Sequence, residues 1–329
     1  MLLVFVLLVL FLSVLLIWKG SNWITDSLIP VAHKLGTSYI AVTTLLVSFM
    51  ISTPEIFTTV YSYMQGHLNI GLGVIIGSVM INIGMTVGLS AAIKPLKVDK
   101  AVVLRDGIFL IIVAVIVLLF GSDLEYTRPE GIVLLLLFIP YVLNVWSSER
   151  MRSHKSRKEK VANLHKKLNL LSFLPLKLKA SFFTFILGAI MLLGGSYLFS
   201  FSLVGLSNFL PFPDLIVGLL FGAIGTAVPN IAAAIQGTLR GYKDAAITET
   251  FGSNIFTLLI TLGIVILLSP FTIAGKVFYF DLIWMIMLTF LMIAFIFKGY
   301  KYREESLTRF EGFALMIFYL VLLVINVFW

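Results

Sequence analysis

One carboxylate stands beside a proline inside an apolar stretch of this chain, at a point that reads STPE. Ser52 and Glu55 are three residues apart, so they share one face if the stretch is helical. Pro54 has no backbone N–H to donate, which frees a carbonyl oxygen near Ile51 or Met50. Hydroxyl, carboxylate and carbonyl oxygens form the ligand set that a hard cation prefers. The pattern therefore predicts a cation site.

A second pair of polar side chains follows in the next apolar run. Ser78 and Asn82 are four residues apart and share a helical face. Their alternative role is to hold packed helices together by hydrogen bonds, and for Ser78 the two roles remain equally open. For Glu55 that alternative fails, because an unpaired carboxylate at membrane depth is costly and is usually functional.

The same pattern returns 175 residues later without a gap. Pro54 corresponds to Pro229, Gly66 to Gly241, and Gly77-Ser78 to Gly252-Ser253. An internal duplication is the economical explanation. The second copy supplies oxygen-bearing counterparts of the first, which are Thr226, Asn230, Ser253 and Thr257.

A further acid, Glu249, precedes Ser253 by one helical turn and shares its face. It could join the cation site. We favour the simpler interpretation, in which Glu249 lies near the inner end of the eighth helix and pairs with Arg240 or Lys243.

Composition limits the class of protein. Of 329 residues, 60% are hydrophobic and 12% are charged, and the mean hydropathy is +1.06. Soluble proteins have about 25% charged residues, so a polytopic all-α membrane protein is predicted. There is no cysteine, which excludes disulfides and thiolate metal sites. The net charge of +8 does not indicate a nucleic-acid partner, since Lys and Arg collect in the cytoplasmic loops of membrane proteins.

The hydropathy pattern predicts ten transmembrane helices in two halves. Residues 1–147 form the first five-helix repeat, with its motifs in 38–95, and residues 179–329 form the second, with its motifs in 213–270. A basic loop, 148–178, separates them. We expect the ten spans at about 2–18, 38–63, 69–93, 101–120, 131–147, 181–203, 213–236, 245–269, 278–297 and 310–328, each long enough to cross a bilayer.

Charge asymmetry predicts the orientation. With both termini outside the cell, all but Arg128 and Lys276 of the 24 basic residues, Lys19 and Lys34 included, lie on the inner side, and the 148–178 loop is cytoplasmic. Because each half has an odd number of helices, the second half is inserted upside down. Inverted repeats with interrupted central helices are the architecture of secondary transporters. The cell membrane is the expected location.

Four segments resemble the two alpha repeats of the sodium/calcium exchanger family, within the cation/calcium antiporter superfamily. They read GTSYIAVTTLLVSFMISTPEI, IIGSVMIN, IGTAVPNIAAAI and FGSNIFTLL. The resemblance implies antiport by alternating access through four central helices, with transported sodium, calcium or protons as ligands and no cofactor. The chain resembles a divergent member, because the family pattern of hydroxyl, hydroxyl, any residue, proline and glutamate is incomplete. Ile51 and Ala227 replace hydroxyl residues, and Asn230 replaces the second glutamate.

The lost glutamate changes the expected chemistry. Two carboxylates neutralise a calcium ion, whereas one leaves a net charge in a low-dielectric site. Neutral oxygens offset part of the cost of this net charge, since calcium takes six to eight oxygen ligands. The sequence therefore predicts a sodium/calcium-type antiporter with Glu55 as principal ligand, and the alternative is a monovalent cation/proton antiporter. An intramembrane enzyme is disfavoured because no nucleophile has a base and no second midplane acid is secure. A non-transporting scaffold and the oligomeric state stay open.

Overall fold

The computed structural model describes residues 2–34, 39–150, 181–239, 241–302 and 306–328, without the side chains at 25, 26, 28–34, 39–51, 149, 150, 233, 245 and 302. Ten helices, α1 to α10, fill most of this part of the chain, as predicted. Five of them are α-helical throughout. They are α1 Leu2–Lys34, α2 Tyr39–Met64, α5 Arg128–Arg150, α6 Phe182–Ser207 and α10 Arg309–Phe328.

The other five helices each contain a wider π-helical turn. The π segments are Asn82–Val87, Val103–Gly107, Gly218–Gly222, Thr257–Thr261 and Val277–Leu282. With their α-helical parts these helices are α3 (Leu68–Ile81, Gly88–Ile93), α4 (Lys100–Val102, Ile108–Phe120), α7 (Asp214–Val217, Ala223–Leu239), α8 (Ala245–Phe256, Leu262–Leu268) and α9 (Ile283–Tyr302).

The chain is an integral membrane protein. Nine of these helices, all except α2, are long and apolar enough to cross a bilayer in the described part of the chain. Large apolar side chains stay exposed along their outer faces, among them Leu119, Phe290 and Phe310 at 62%, 61% and 82%. Apolar side chains in contact with lipid carry no hydrophobic penalty, so these faces suit a membrane.

The first helix is much longer than predicted. Hydropathy ends it near residue 18 and places Lys19 in an inner loop, whereas α1 continues to Lys34. Lys19 is only 6% exposed, and its Nζ lies 5.4 Å from the centre of the Trp23 ring. Ser21 and Asn22 are buried as well. The prediction was wrong here because these polar residues pack against protein and do not enter water.

Neither proline of the motifs ends its helix. α2 runs through Pro54, and the last part of α7 runs through Pro229. Each proline still lacks the N–H that would bond the carbonyl four residues earlier. The interruption expected of the central helices takes the form of π segments in α3, α7 and α8, which leave the i→i−4 pattern without breaking the helix.

Local geometry repeats at the spacing found in the sequence. Gly66 and Gly241, which are 175 positions apart, end their helices with φ of +84° and +93°. A left-handed backbone favours glycine, which explains the residue type at both turns. The π segments of α3 and α8 begin at positions with the same spacing, Asn82 and Thr257. The two halves therefore share their irregular features as well as their helices.

The packing of α1 against α6 shows that the halves are inverted. These helices are counterparts in the two repeats, and they meet through glycines. Gly20 lies against Gly188 and Leu192, whereas Gly195 lies against Ile17. The numbers rise on one helix as they fall on the other, so the counterparts run antiparallel. Small residues at such a contact let two backbones approach closely.

Two equivalent strand contacts join the halves at their ends. Strand β1 (Glu125–Tyr126) pairs antiparallel with β2 (Phe271–Thr272), and Leu96 forms a β-bridge with Leu307. Leu96 and Phe271 follow α3 and α8 at equivalent positions. Burial raises the pKa of the Tyr126 phenol, whose hydroxyl donates to the Val117 carbonyl at 2.8 Å. These contacts link the segments that follow α3 and α8 to the segment that precedes the last helix of the other half.

The contact between α3 and α7 makes a stability prediction. A Cβ on Gly218 would collide with the carbonyl oxygen of Ile70, a backbone atom that cannot rotate away. We expect Gly218→Ala to destabilise the protein by about 1–3 kcal/mol, the usual cost of overpacking. Thermal unfolding in detergent measures this as a lower melting temperature.

Gly194→Ala is the matched control, because a Cβ on this helical glycine meets nothing within 4 Å. Alanine is the better helix former, so its melting temperature should equal or exceed that of the parent. Equal melting temperatures for the parent and Gly218→Ala would contradict the close contact.

Candidate functional site

Four helices, α2, α3, α7 and α8, bring the predicted site residues into the core of the protein. Every predicted oxygen-bearing residue of the two motifs is at most 2% exposed. They are Ser52, Glu55, Ser78, Asn82, Thr226, Asn230, Ser253 and Thr257.

The hydroxyls of the two copies meet across the interface between halves. The Oγ atoms of Ser52 and Ser253 lie 2.9 Å apart. The related pair, Ser78 Oγ and Thr226 Oγ1, lies 3.4 Å apart. Thr226 also donates within its own helix, with 3.1 Å to the Gly222 carbonyl. The motif of one half therefore faces the Gly-Ser motif of the other half, as an inverted repeat requires.

Asn82 is the centre of the polar cluster. Its Nδ2 donates to Asn254 Oδ1 at 3.0 Å and reaches Ser253 Oγ at 3.5 Å. Its Oδ1 accepts a long contact of 3.4 Å from Asn230 Nδ2. The Thr250 hydroxyl donates to the backbone carbonyl of Asn82 at 3.2 Å. Through Asn82, side chains from α3, α7 and α8 form one connected network.

Asn82 also lies where the helical hydrogen-bond pattern of α3 changes. The π segment of α3 begins at this residue. A π turn shifts the hydrogen-bond pattern of the helix, and such turns occur frequently at functional sites. Thr257, the counterpart in α8, also begins a π segment. Its Oγ1 is buried and bonds no described residue.

Glu55 lies one helical turn from the Ser52–Ser253 contact and shares the face of Ser52. The residue is 0% exposed, and neither carboxyl oxygen has a hydrogen-bond partner among the described residues. Two ion pairs of the described ranges lie elsewhere, one between His67 and Asp214 and one between Arg105 and Asp106. A buried carboxylate without a partner is strongly disfavoured unless it takes up a proton or a cation.

The acidic chemistry of the cluster is limited to few groups. No three His, Asp or Glu side chains in the described ranges converge as a metal site would require. Asn230 is neutral, and its Oδ1 bonds no described residue. Among the residues predicted with a ligand role, the cluster therefore holds the Glu55 carboxyl group and several neutral oxygens.

The roles of Ile51 and Glu249, the two possible members of the site, stay predictions. The side chain of Ile51 lies outside the described residues. Glu249 is 8% exposed near the start of α8, and Lys243, one of its two expected partners, is exposed. Arg240, the other, lies outside the described residues.

Sequence reasoning missed two members of the network, Asn254 and Thr250. Asn254 donates to the carbonyl of Val79, its counterpart in the first half, at 3.2 Å. The signal for it was its position directly after Ser253 in the Gly-Ser motif. Thr250 lies four residues before Asn254, on the same helical face, but a lone threonine in an apolar helix gives no comparable signal.

Inverted repeats whose central helices meet at buried polar groups define the class of secondary transporters. The family comparison agrees. The sodium/calcium exchanger protein family model matches residues 5–147 and 180–328. The chain belongs to the sodium/calcium exchanger family. This is a family of membrane antiporters, not of enzymes, so the alternative of an intramembrane enzyme is excluded.

Known relatives match most of the chain at low identity. Sodium/calcium exchanger MaX1 of Methanosarcina acetivorans is 25% identical, and the match covers 97% of each of the two chains. Inner membrane protein YrbG of Escherichia coli is 27% identical over 68% of both. A solved structure of the sodium-calcium exchanger NCX_Mj superposes with a TM-score of 0.65 at 21% identity, covering 98% of this chain and 99% of that one. At that identity the likeness establishes the fold alone.

Proposed function

We propose that the chain exchanges cations by alternating access at a site in the middle of the membrane, with Glu55 as the principal ligand. The observation that carries this proposal is the fully buried Glu55 carboxyl group, whose oxygens bond no described residue. The neutral oxygens of the site come from Ser52, Ser78, Asn82, Thr226, Asn230, Ser253 and Thr257.

Contacts between the halves support the assignment of these neutral ligands. The hydroxyl pairs Ser52–Ser253 and Ser78–Thr226 each join a motif of one half to a motif of the other. A movement of one half against the other would therefore change the geometry of the site directly. Such coupling is what alternating access at a repeat interface requires.

The charge of the site bears on which cations are exchanged, and two candidates remain. Sodium/calcium exchange is the first candidate, in keeping with the family and with the number of neutral oxygens near Asn82. Exchange of a monovalent cation for a proton is the second, and Asn230 favours it. With only one carboxylate, a sodium ion or a proton is neutralised fully, whereas calcium leaves a positive charge in a buried site.

Flux into proteoliposomes tests the proposal. Calcium, sodium, potassium and proton gradients are applied in turn, and uptake of radioactive sodium or calcium is followed. We expect one gradient to drive uphill movement of another cation. Failure of all pairwise combinations would leave the chain as a non-transporting membrane scaffold.

We also propose the orientation predicted from the basic residues, with both termini outside, the halves 1–147 and 179–329, and the 148–178 loop in the cytoplasm. Most of this loop lies outside the described residues, so the charge asymmetry carries the proposal.

Labelling of single introduced cysteines checks this orientation, because the chain has no cysteine of its own that would have to be removed first. Ser153→Cys is expected to resist a membrane-impermeant thiol reagent in intact cells and to react after permeabilisation. Ser122→Cys, in the exposed connection after α4, is the matched control and should react from outside. The reverse labelling pattern would show the opposite orientation.

A further inference from the structure

Helices α4 and α9 each carry a buried acid, at equivalent positions of the two halves. Asp106 and Asp281 are 175 residues apart, which is the spacing of the repeat. Each lies inside the π segment of its helix and is at most 2% exposed. Neither helix belongs to the four that hold the candidate cation site. The two acids therefore need an explanation of their own, because lipid cannot solvate a buried charge.

In the first half the acid has a charged partner beside it. Arg105 donates to both carboxyl oxygens of Asp106, from Nε and from Nη2, at 2.7 Å each. A bidentate contact between a guanidinium and a carboxylate is among the strong hydrogen-bonded contacts of proteins. The charge of Asp106 is therefore neutralised within the protein.

The second half keeps the acid but has lost this base. Phe280 stands where Arg105 stands in the first half. Neither carboxyl oxygen of Asp281 has a hydrogen-bond partner in the described part of the chain. A buried carboxylate in this position is strongly disfavoured unless its charge is removed.

Lys276 is the base that could replace the lost arginine, but it bonds another group. It precedes Asp281 by five residues, and residues five apart lie near each other along a π turn. Its Nζ nevertheless donates to the backbone carbonyl of Asn326 at 3.0 Å. An ionised carboxylate would attract the ammonium more strongly than a neutral carbonyl does. The contact with Asn326 therefore indicates that Asp281 is uncharged.

Asp281 lies between two contacts that join α9 to α10. One is the bond from Lys276 to Asn326, and the other is the ring contact of Trp284 with Phe318, whose centroids are 5.1 Å apart. Residue numbers rise on α9 as they fall on α10, so the helices are antiparallel. Lys276 and the Asn326 side chain, whose Oδ1 also bonds no described residue, are close enough to act on the carboxyl group.

The other helices packed on α9 bring no further charge to this end. They are α3, α4 and α10. The sequence of α3 contains no titratable residue, and α4 contains none after Asp106. Toward the same end of α10 the titratable residue is Tyr319, two turns before Asn326, and a phenol is uncharged at neutral pH. Lys276 is therefore the cation that faces Asp281 from these helices.

We propose that Asp281 is a proton-binding site of this chain, separate from the candidate cation site, and that its proton leaves Lys276 free to tie the start of α9 to the end of α10. Loss of the proton would draw the ammonium to the carboxylate and release the Asn326 carbonyl. A proton suits this position better than a metal ion, because the Lys276 ammonium repels a second cation. The inference does not depend on the proposed role of Glu55.

Infrared difference spectroscopy tests for the proton directly. A neutral carboxylic acid has a carbonyl stretching band that an ionised carboxylate lacks. In detergent at neutral pH, the spectrum of the parent minus that of Asp281→Asn is expected to contain this band. Asp106→Asn is the matched control, since it removes the equivalent acid from an ion pair, and its difference spectrum should lack the band. Absence of the band for Asp281→Asn would overturn the proposal.

Lys276→Met distinguishes a bound proton from neutralisation by the lysine. If Asp281 already carries the proton, removal of the ammonium leaves its band in place. If Lys276 instead neutralises an ionised Asp281, the band is missing in the parent and appears only in Lys276→Met. That second result would show the proposal to be wrong.

Isotope labelling gives an answer in the unsubstituted chain, in case Asp281→Asn does not fold. A heavy carbon isotope is placed in the carboxyl groups of aspartate alone, so the bands of Glu55 and the other glutamates do not move. We expect part of the neutral-acid band to shift to lower frequency and to disappear as the pH is raised. A neutral-acid band that is unaffected by the label would exclude a protonated Asp281.

Discussion

Glu55→Gln is expected to abolish coupled transport. Glutamine keeps the size of the side chain and removes the charge, so a bound cation would be left without any neutralising group in a buried site. At 4 Å and an effective dielectric constant of 20, the attraction between two unit charges is about 4 kcal/mol. Its loss corresponds to a reduction in affinity of about a thousandfold. Gradient-driven flux in proteoliposomes measures the effect.

Glu249→Gln is the comparison that gives this result its meaning. Both acids lie on central helices and are buried, but Glu249 is near the start of α8, a turn before Ser253 and close to the basic segment that contains Lys243. We expect substantial transport to remain in Glu249→Gln. Full activity in Glu55→Gln would remove the residue on which the mechanism depends.

Asn230→Asp is expected to bind calcium more tightly than the parent. Asn230 lies in the second half where Glu55 lies in the first, and its Oδ1 bonds no described residue. The amide that would be lost makes only a long contact of 3.4 Å with Asn82. A second carboxylate would neutralise the remaining charge of calcium, so an increase of at least about tenfold is expected, or about 1.4 kcal/mol.

Calorimetry with calcium in detergent checks this prediction, and Asn254→Asp is its control. Asn254 is buried in the same network, but both ends of its amide are engaged, since Oδ1 accepts from Asn82 Nδ2 and Nδ2 donates to the Val79 carbonyl. A carboxylate there loses the donor to Val79, so no comparable gain is expected. Equal calcium affinity in Asn230→Asp and the parent would show that the missing carboxylate does not limit divalent binding.

The sequence was sufficient for the repeat and for the burial of the motif residues. A spacing of 175 residues without a gap aligns Pro54 with Pro229 and Gly66 with Gly241, and the structure places the two glycines in the same left-handed turn. A charged residue inside an apolar run must be buried, because lipid cannot solvate it. Both inferences depend on residue type and position alone.

The geometry of the site could not be predicted in the same way. Whether Asn82 starts an α turn or a π turn depends on which carbonyl each N–H reaches, and packing against neighbouring helices decides that. Contacts such as Ser52 to Ser253 join residues 201 positions apart. The length of α1 was missed for a related reason, since polar residues after Lys19 are buried by α6 and not by their own hydropathy.

The antiparallel packing of α1 on α6 has a consequence for the energetics of the transport cycle. Were the two halves identical, the state open to one side would be the rotated image of the state open to the other, and both would have equal free energy. Any resting preference must therefore come from positions at which the halves differ. Glu55 against Asn230 and Ser62 against Gly237 are two such positions. Substitutions that make the halves more alike should shift the resting population toward equality.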